Sequence, residues 1–144
     1  MSYAQIPQIE REALVALYNS TDGANWTDNT GWLGEAGTEC SWFGVRCYAD
    51  FGKSVSNLNF WENGLNGNIP SELGNLSNLT WLNLGNNSLS GTIPSELGNL
   101  VYLTNFNVRD NNLSGEIPNE LGGIKNLTYL DLWGENSFTG SIPR

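Results

Sequence analysis

The sequence predicts an α/β solenoid: a short right-handed superhelix with a parallel concave sheet and a helical N-terminal cap. The first observation behind this is self-similarity. The stretch Leu79–Tyr102 reappears 24 residues earlier from Val55, 24 residues later from Leu103, and again from Leu127. The second is the spacing of Pro70, Pro94 and Pro118, which repeats the same period and stretches to 25 residues at Pro143. The third is a change of character at about residue 55, before which no repeat is visible. The chain therefore divides into a capping region, residues 1–54, and four 24-residue repeats, residues 55–144. The last repeat is truncated and carries a one-residue insertion within Trp133-Gly134-Glu135.

From the start, Pro7 to Tyr18 reads as a helix. Pro7 sits in the first turn, Glu10 and Glu12 lie near the positive end, and Ile9, Ala13, Leu14, Leu17 and Tyr18 fall at helical spacing. Asn19-Ser-Thr-Asp-Gly23 ends it with turn chemistry. The first coil of a stack would expose its apolar edge, so an aromatic plug is expected there, supplied by Trp26, Trp32, Trp42 and Phe43. Within the repeat, with Leu79 as position 1, Leu79, Leu82, Leu84, Leu89, Ile93 and Leu97 are the inward set that stacks on neighbouring coils. Positions 3 to 7 alternate, as a strand with one buried face does, and successive coils pair these strands in parallel. Asn63, Asn87, Asn111 and Asn136 leave each strand, where an inward amide satisfies backbone groups that a loop leaves unpaired. Ser-Gly-x-Ile-Pro then reads as an extended, tight-turning return path.

The motifs Leu-Ser-Gly-x-Ile-Pro and Ser-Glu-Leu-Gly-Asn-Leu resemble the plant-specific class of leucine-rich repeats, found in receptor-like kinase ectodomains and polygalacturonase-inhibiting proteins. The segment Cys40-Ser-Trp-Phe-Gly-Val-Arg-Cys47, with Trp26 and Trp32 ahead of it, is similar to the N-terminal cap of that class. Cys40 and Cys47, the two cysteines of the chain, read as a short disulfide-closed loop in an oxidising compartment, against the alternative of two free thiols in the cytosol. The resemblance implies recognition without catalysis in a secreted or cell-surface setting. Asn19, Asn25, Asn75, Asn78, Asn86, Asn112 and Asn126 all begin glycosylation sequons, as a glycoprotein would carry, although the repeat itself generates several.

Composition narrows the partners. Six basic against fifteen acidic residues leave no basic footprint for nucleic acid or anionic membrane. No apolar run is long enough for membrane insertion, and Met1-Ser-Tyr-Ala-Gln lacks the features of a signal peptide, as the start of a mature chain would. Histidine is absent, which removes Ser/Cys–His nucleophilic catalysis and the usual zinc sets. Glu62, Asp110 and Asp131 share a face as paired carboxylates do, but an open solenoid surface provides no water-excluded cleft for glycoside hydrolysis. No catalytic residue, cofactor or metal site is expected.

Binding is expected on the concave columns that the repeat itself does not dictate. Position 3 holds Asn57, Trp81, Asn105 and Tyr129, and position 5 holds Asn59, Asn83, Asn107 and Asp131. Position 7 holds Trp61, Gly85, Arg109 and Trp133, and position 8 holds Glu62, Asn86, Asp110 and Gly134. Outward aromatics there serve as anchors for a protein or peptide ligand. A cell-wall polysaccharide or other glycan stacked on the same rings, and a structural or ice-interacting role, are the alternatives. The fourth coil stops mid-repeat, which implies either a longer solenoid or a partner on its edge, including a homodimer through the C-terminal repeat.

Overall fold

Helix α1 spans Gln8–Ser20 in a computed structural model that describes residues 5–49 and 53–143. The opening residues 1–4 and the terminal Arg144, on which the expectations about the two chain ends fall, lie outside the described residues. Pro7 is the residue just before the helix rather than inside its first turn, and the helix runs two residues past Tyr18. Its inward face is Glu10, Ala13, Leu14 and Leu17, while Ile9, expected on that face, is half exposed at 51%. Glu10 takes the inward place because its carboxylate has partners there. One oxygen accepts the Ser54 hydroxyl at 2.5 Å and the other accepts the Val55 N–H at 3.0 Å. A buried carboxylate is tolerated when such donors replace its water.

The strands follow in chain order: β1 Val45–Cys47, β2 Val55–Asn59, β3 Asn66–Asn68, β4 Trp81–Asn83, β5 Ser88–Gly91, β6 Asn105–Asn107, β7 Asn112–Glu116, β8 Tyr129–Asp131 and β9 Ser137–Thr139. They form two sheets. The concave sheet has the order β1-β2-β4-β6-β8, parallel throughout except for β1, which joins β2 antiparallel. A second parallel sheet, β3-β5-β7-β9, is built from the return path, so the segment expected to be merely extended is itself paired between coils. Short 3-10 turns at Ser71–Asn75, Ser95–Asn99 and Asn119–Gly123 complete the coils.

The core is a column of leucines. Leu79, Leu82, Leu84, Leu89, Ile93 and Leu97 are all buried, as the repeat pattern requires. One inward position escaped it: Leu76, Leu100 and Ile124 are equally buried, because each closes a 3-10 turn three residues after Leu73, Leu97 and Leu121. The asparagine ladder works as read from the sequence. The Asn87 amide nitrogen donates to the carbonyls of Phe60 and Leu84 at 2.9 Å, and its oxygen accepts the N–H groups of Asn63 and Leu65 at 3.0 Å. Asn111 and Asn136 repeat the two donated bonds one and two coils on, and their oxygens accept the N–H groups of Leu89 and Leu113.

The cap is an aromatic plug. Trp26, Trp32, Trp42 and Phe60 pack in edge-on and tilted contacts with neighbouring ring centroids 4.9 to 5.7 Å apart, while Tyr18 stacks on Trp32 and meets Trp26 edge-on. Each indole N–H has an acceptor: the Thr21 carbonyl, the Phe43 carbonyl and the Thr38 hydroxyl respectively. Phe43 is not part of the plug. Its ring is 36% exposed, because Phe43 precedes β1 on the side facing the concave sheet. Cys40 and Cys47 form a disulfide, with Cα atoms 5.5 Å apart. Arg11 ties this loop to the helix by pairing with Glu39, donating to the Gly34 carbonyl at 2.7 Å and lying 5.0 Å from the centre of the Trp42 ring.

Candidate functional site

Parallel pairing in register turns the repeat positions into straight rows across the concave face. Asn57, Trp81, Asn105 and Tyr129 lie side by side, as do Asn59, Asn83, Asn107 and Asp131. The structure thus brings every sequence-selected residue of these two rows onto one sheet. The position-7 residues follow at the strand ends. The backbone bonds Glu62 N–H to Gly85 O, Asn86 N–H to Arg109 O and Asp110 N–H to Trp133 O place Trp133 level with Gly85 and Arg109. Gly134 adopts a positive φ like Glu62, Asn86 and Asp110 before it, so it occupies position 8 and Glu135 is the inserted residue.

The rows differ in what they offer a ligand. In the position-5 row one side-chain oxygen of each residue accepts a backbone N–H two residues on. The distances are 3.3 Å from Trp61 to Asn59, 3.1 Å from Gly85 to Asn83, 2.9 Å from Arg109 to Asn107 and 3.1 Å from Trp133 to Asp131. These side chains shape the turn that presents position 7, and only their remaining polar atoms face outward. Asp131 carries the densest network. Besides the Trp133 N–H it accepts the Tyr129 hydroxyl at 3.2 Å and lies 3.9 Å from the Arg109 guanidinium, which itself donates to Asp110 at 3.1 Å. Hydrogen bonding to the Asp131 carboxylate, reinforced by its charge, raises the Tyr129 phenol above the ordinary tyrosine range.

The aromatics stay uncovered. Trp61, Trp81 and Tyr129 are 40 to 48% exposed and Trp133 is 77% exposed. Trp61 lies on the sheet rather than standing off it, since a Cβ at Gly85 would meet its ring at 2.6 Å. The absence of a side chain at position 7 of the second coil is therefore what seats the first coil's indole. The cap adds members that repeat-based reading missed: Phe43, Gly44, Val45 and Arg46 line a hollow of about 500 Å³ together with Asn57, Asn59 and Trp81. Their signal was weak because β1 is antiparallel and lies outside the 24-residue period.

The Leucine Rich Repeat family profile matches residues 54–76, 78–100 and 102–124. Among solved structures, the chain is similar to PEPR1 in the PEPR1–AtPEP1 structure, with 36% identity, a TM-score of 0.78, and coverage of 93% of this chain and 19% of that one. It is similar to the ectodomain of the receptor kinase SOBIR1 from Arabidopsis thaliana at 25% identity and TM-score 0.76, covering 94% of this chain and 71% of that one. The ectodomain of the Arabidopsis receptor kinase HAESA, solved in complex with an extended IDA peptide hormone, shows 28% identity and TM-score 0.76, covering 93% of this chain and 22% of that one. The chain thus spans about a fifth of the length of PEPR1 and of HAESA. No curated protein sequence matches it.

Proposed function

Because this chain is a leucine-rich repeat protein similar to plant receptor-kinase ectodomains, we propose that it is a non-catalytic extracellular recognition module holding a protein or peptide partner on its concave face. The observation that carries this is the uncovered aromatic set Trp61, Trp81, Tyr129 and Trp133 on a sheet whose core needs none of them. Exposed apolar surface of that kind marks contact sites, and large rings supply most of the affinity at interfaces. The peptide ligand of HAESA supports the peptide class. The cap disulfide supports an oxidising, secreted or cell-surface location. Among the described residues no helix is long and apolar enough to cross a membrane.

The contributing residues are Asn57, Trp81, Asn105 and Tyr129 in one row, Asn59, Asn83, Asn107 and Asp131 in the next, and Trp61, Arg109 and Trp133 at the turn. A screen of the purified chain against secreted-protein and peptide libraries tests the reading, with Tyr129→Ala as control. Replacing that ring should lower affinity by ~2 kcal/mol while leaving the fold intact. Binders indifferent to Tyr129→Ala and Trp81→Ala would place recognition elsewhere.

A glycan ligand is the second reading. It is favoured by Trp61, whose exposed ring packs against Gly85 and is of the kind on which a sugar can stack. A glycan array with a Trp61→Ala control separates the two. Self-association through the fourth coil is a further proposed contact, since Leu130, Leu132 and Phe138 there are only partly buried and Ile142 is 68% exposed.

A further inference from the structure

The cap contributes more to the concave face than a plug. Strand β1 extends the sheet by one, and its register sets Arg46 opposite Asn57, in line with the row Asn57, Trp81, Asn105 and Tyr129. Beside it lies the hollow of about 500 Å³. Its lining includes two half-exposed rings, Phe43 and Trp81, and the amides of Asn57 and Asn59. Gly44 allows the cap to come this close. Its φ is +81°, the Asn59 N–H donates to its carbonyl at 2.9 Å, and a Cβ there would meet the Phe60 ring at 2.6 Å.

Arg46 is the charge of this hollow, and it stands out in an acidic chain of net charge −9. The guanidinium of Arg11 is held by Glu39 and the Gly34 carbonyl, and that of Arg109 by Asp110 and Asp131. The side chain of Arg46 is exposed and makes neither an ion pair nor a hydrogen bond among the described residues. Arg46 and two exposed rings line the same hollow, and a guanidinium there matches a planar carboxylate, which it binds through two parallel hydrogen bonds.

We propose that the Phe43–Arg46–Trp81 hollow receives one aspartate or glutamate side chain of an extended peptide, its carboxylate paired with Arg46 and its stem held between the two rings. The proposal rests on the concave-face reading and adds a register to it. Four inter-strand steps separate the Arg46 strand from the Tyr129 strand, about 19 Å at the usual strand spacing. An extended chain covers that distance in about six residues, so the acidic residue lies about six positions from the residue that meets Tyr129.

Panning a random phage-displayed dodecapeptide library in parallel on the wild-type chain, Arg46→Glu and Arg46→Gln tests this. Circular dichroism confirms that each variant is folded. The wild-type protein should enrich an acidic residue at a constant offset from an apolar one, and Arg46→Glu should replace it by lysine or arginine. Arg46→Gln should weaken the wild-type-selected peptide about tenfold, and changing that peptide's acidic residue to its amide should then cost nothing further. Selected peptides that lose affinity on Tyr129→Ala, yet lack the acidic residue or bind Arg46→Glu equally well, overturn the subsite and leave the concave reading standing. Peptides indifferent to Tyr129→Ala, or no enrichment at all, overturn both.

Discussion

Glu10 shows how one residue can hold two elements together. Its carboxylate joins α1 to the start of β2 through Ser54 and Val55, and the Ser54 hydroxyl in turn accepts the Asn78 amide at 3.0 Å. Glu10→Ala leaves a buried hydroxyl and a buried N–H without their acceptor, so we expect a loss of ~2–3 kcal/mol in urea unfolding. A variant as stable as the wild type would show that water enters and takes over both bonds. Tyr129 tests the other network. Its raised pKa arises first from the hydrogen bond to Asp131 and then from that residue's charge. The sign follows from the protonated phenol being the bonded form. The bond's contribution is complete below the ordinary tyrosine pKa and disappears as pH rises through the elevated one. Ultraviolet titration should therefore show a late-ionising tyrosine that returns toward the ordinary range in Asp131→Ala, and no change in that variant would rule the bond out.

Single elements behave as units whose cost of change depends on what they support. The loop closed by Cys40 and Cys47 is short, with a sequence separation of 7, so reduction should destabilise the protein by only ~2 kcal/mol. Thermal melts with and without reductant measure this, and an unchanged midpoint would mean that Arg11 and Trp42 hold the loop alone. The turn at Gly85 has the opposite balance. Gly85→Ala brings a methyl against the Trp61 ring, which is exposed and able to lift away. We expect a stability change within ~1 kcal/mol, with a shift in tryptophan emission as Trp61 leaves the sheet. By contrast, Leu82→Ala empties a fully buried position and should cost roughly 2–5 kcal/mol.

The whole molecule is graded along its axis. Leu82 and Leu84 in the second coil are sealed on both sides, whereas their counterparts Leu130 and Leu132 in the fourth coil are only partly covered. There they line an open hollow of about 500 Å³ with Phe138 and Ile142. Burying apolar surface is favourable by about 25 cal/mol per Å², so two such faces gain by meeting, and a two-fold contact closes without forming a filament. Sedimentation of the 144-residue chain over a concentration series should show reversible association that Phe138→Asp abolishes. A monomer at all concentrations, with or without the substitution, would exclude this contact.

The 24-residue period by itself determined the solenoid, the stacked leucines, the asparagine ladder and the membership of the concave rows, because each coil must repeat its neighbour's geometry to bury its own core. Departures from the period were decided only by the tertiary structure. Glu10 displaced Ile9 from the helix's inner face because distant donors at Ser54 and Val55 awaited its carboxylate. Phe43 left the plug, and Arg46 joined the concave face, because an antiparallel strand from the cap docks on β2. Return segments became a second sheet because stacking coils brought their backbones within hydrogen-bonding distance. A repeat constrains residues that meet their own copies, whereas cap residues meet partners far away in sequence, and only folding brings those together.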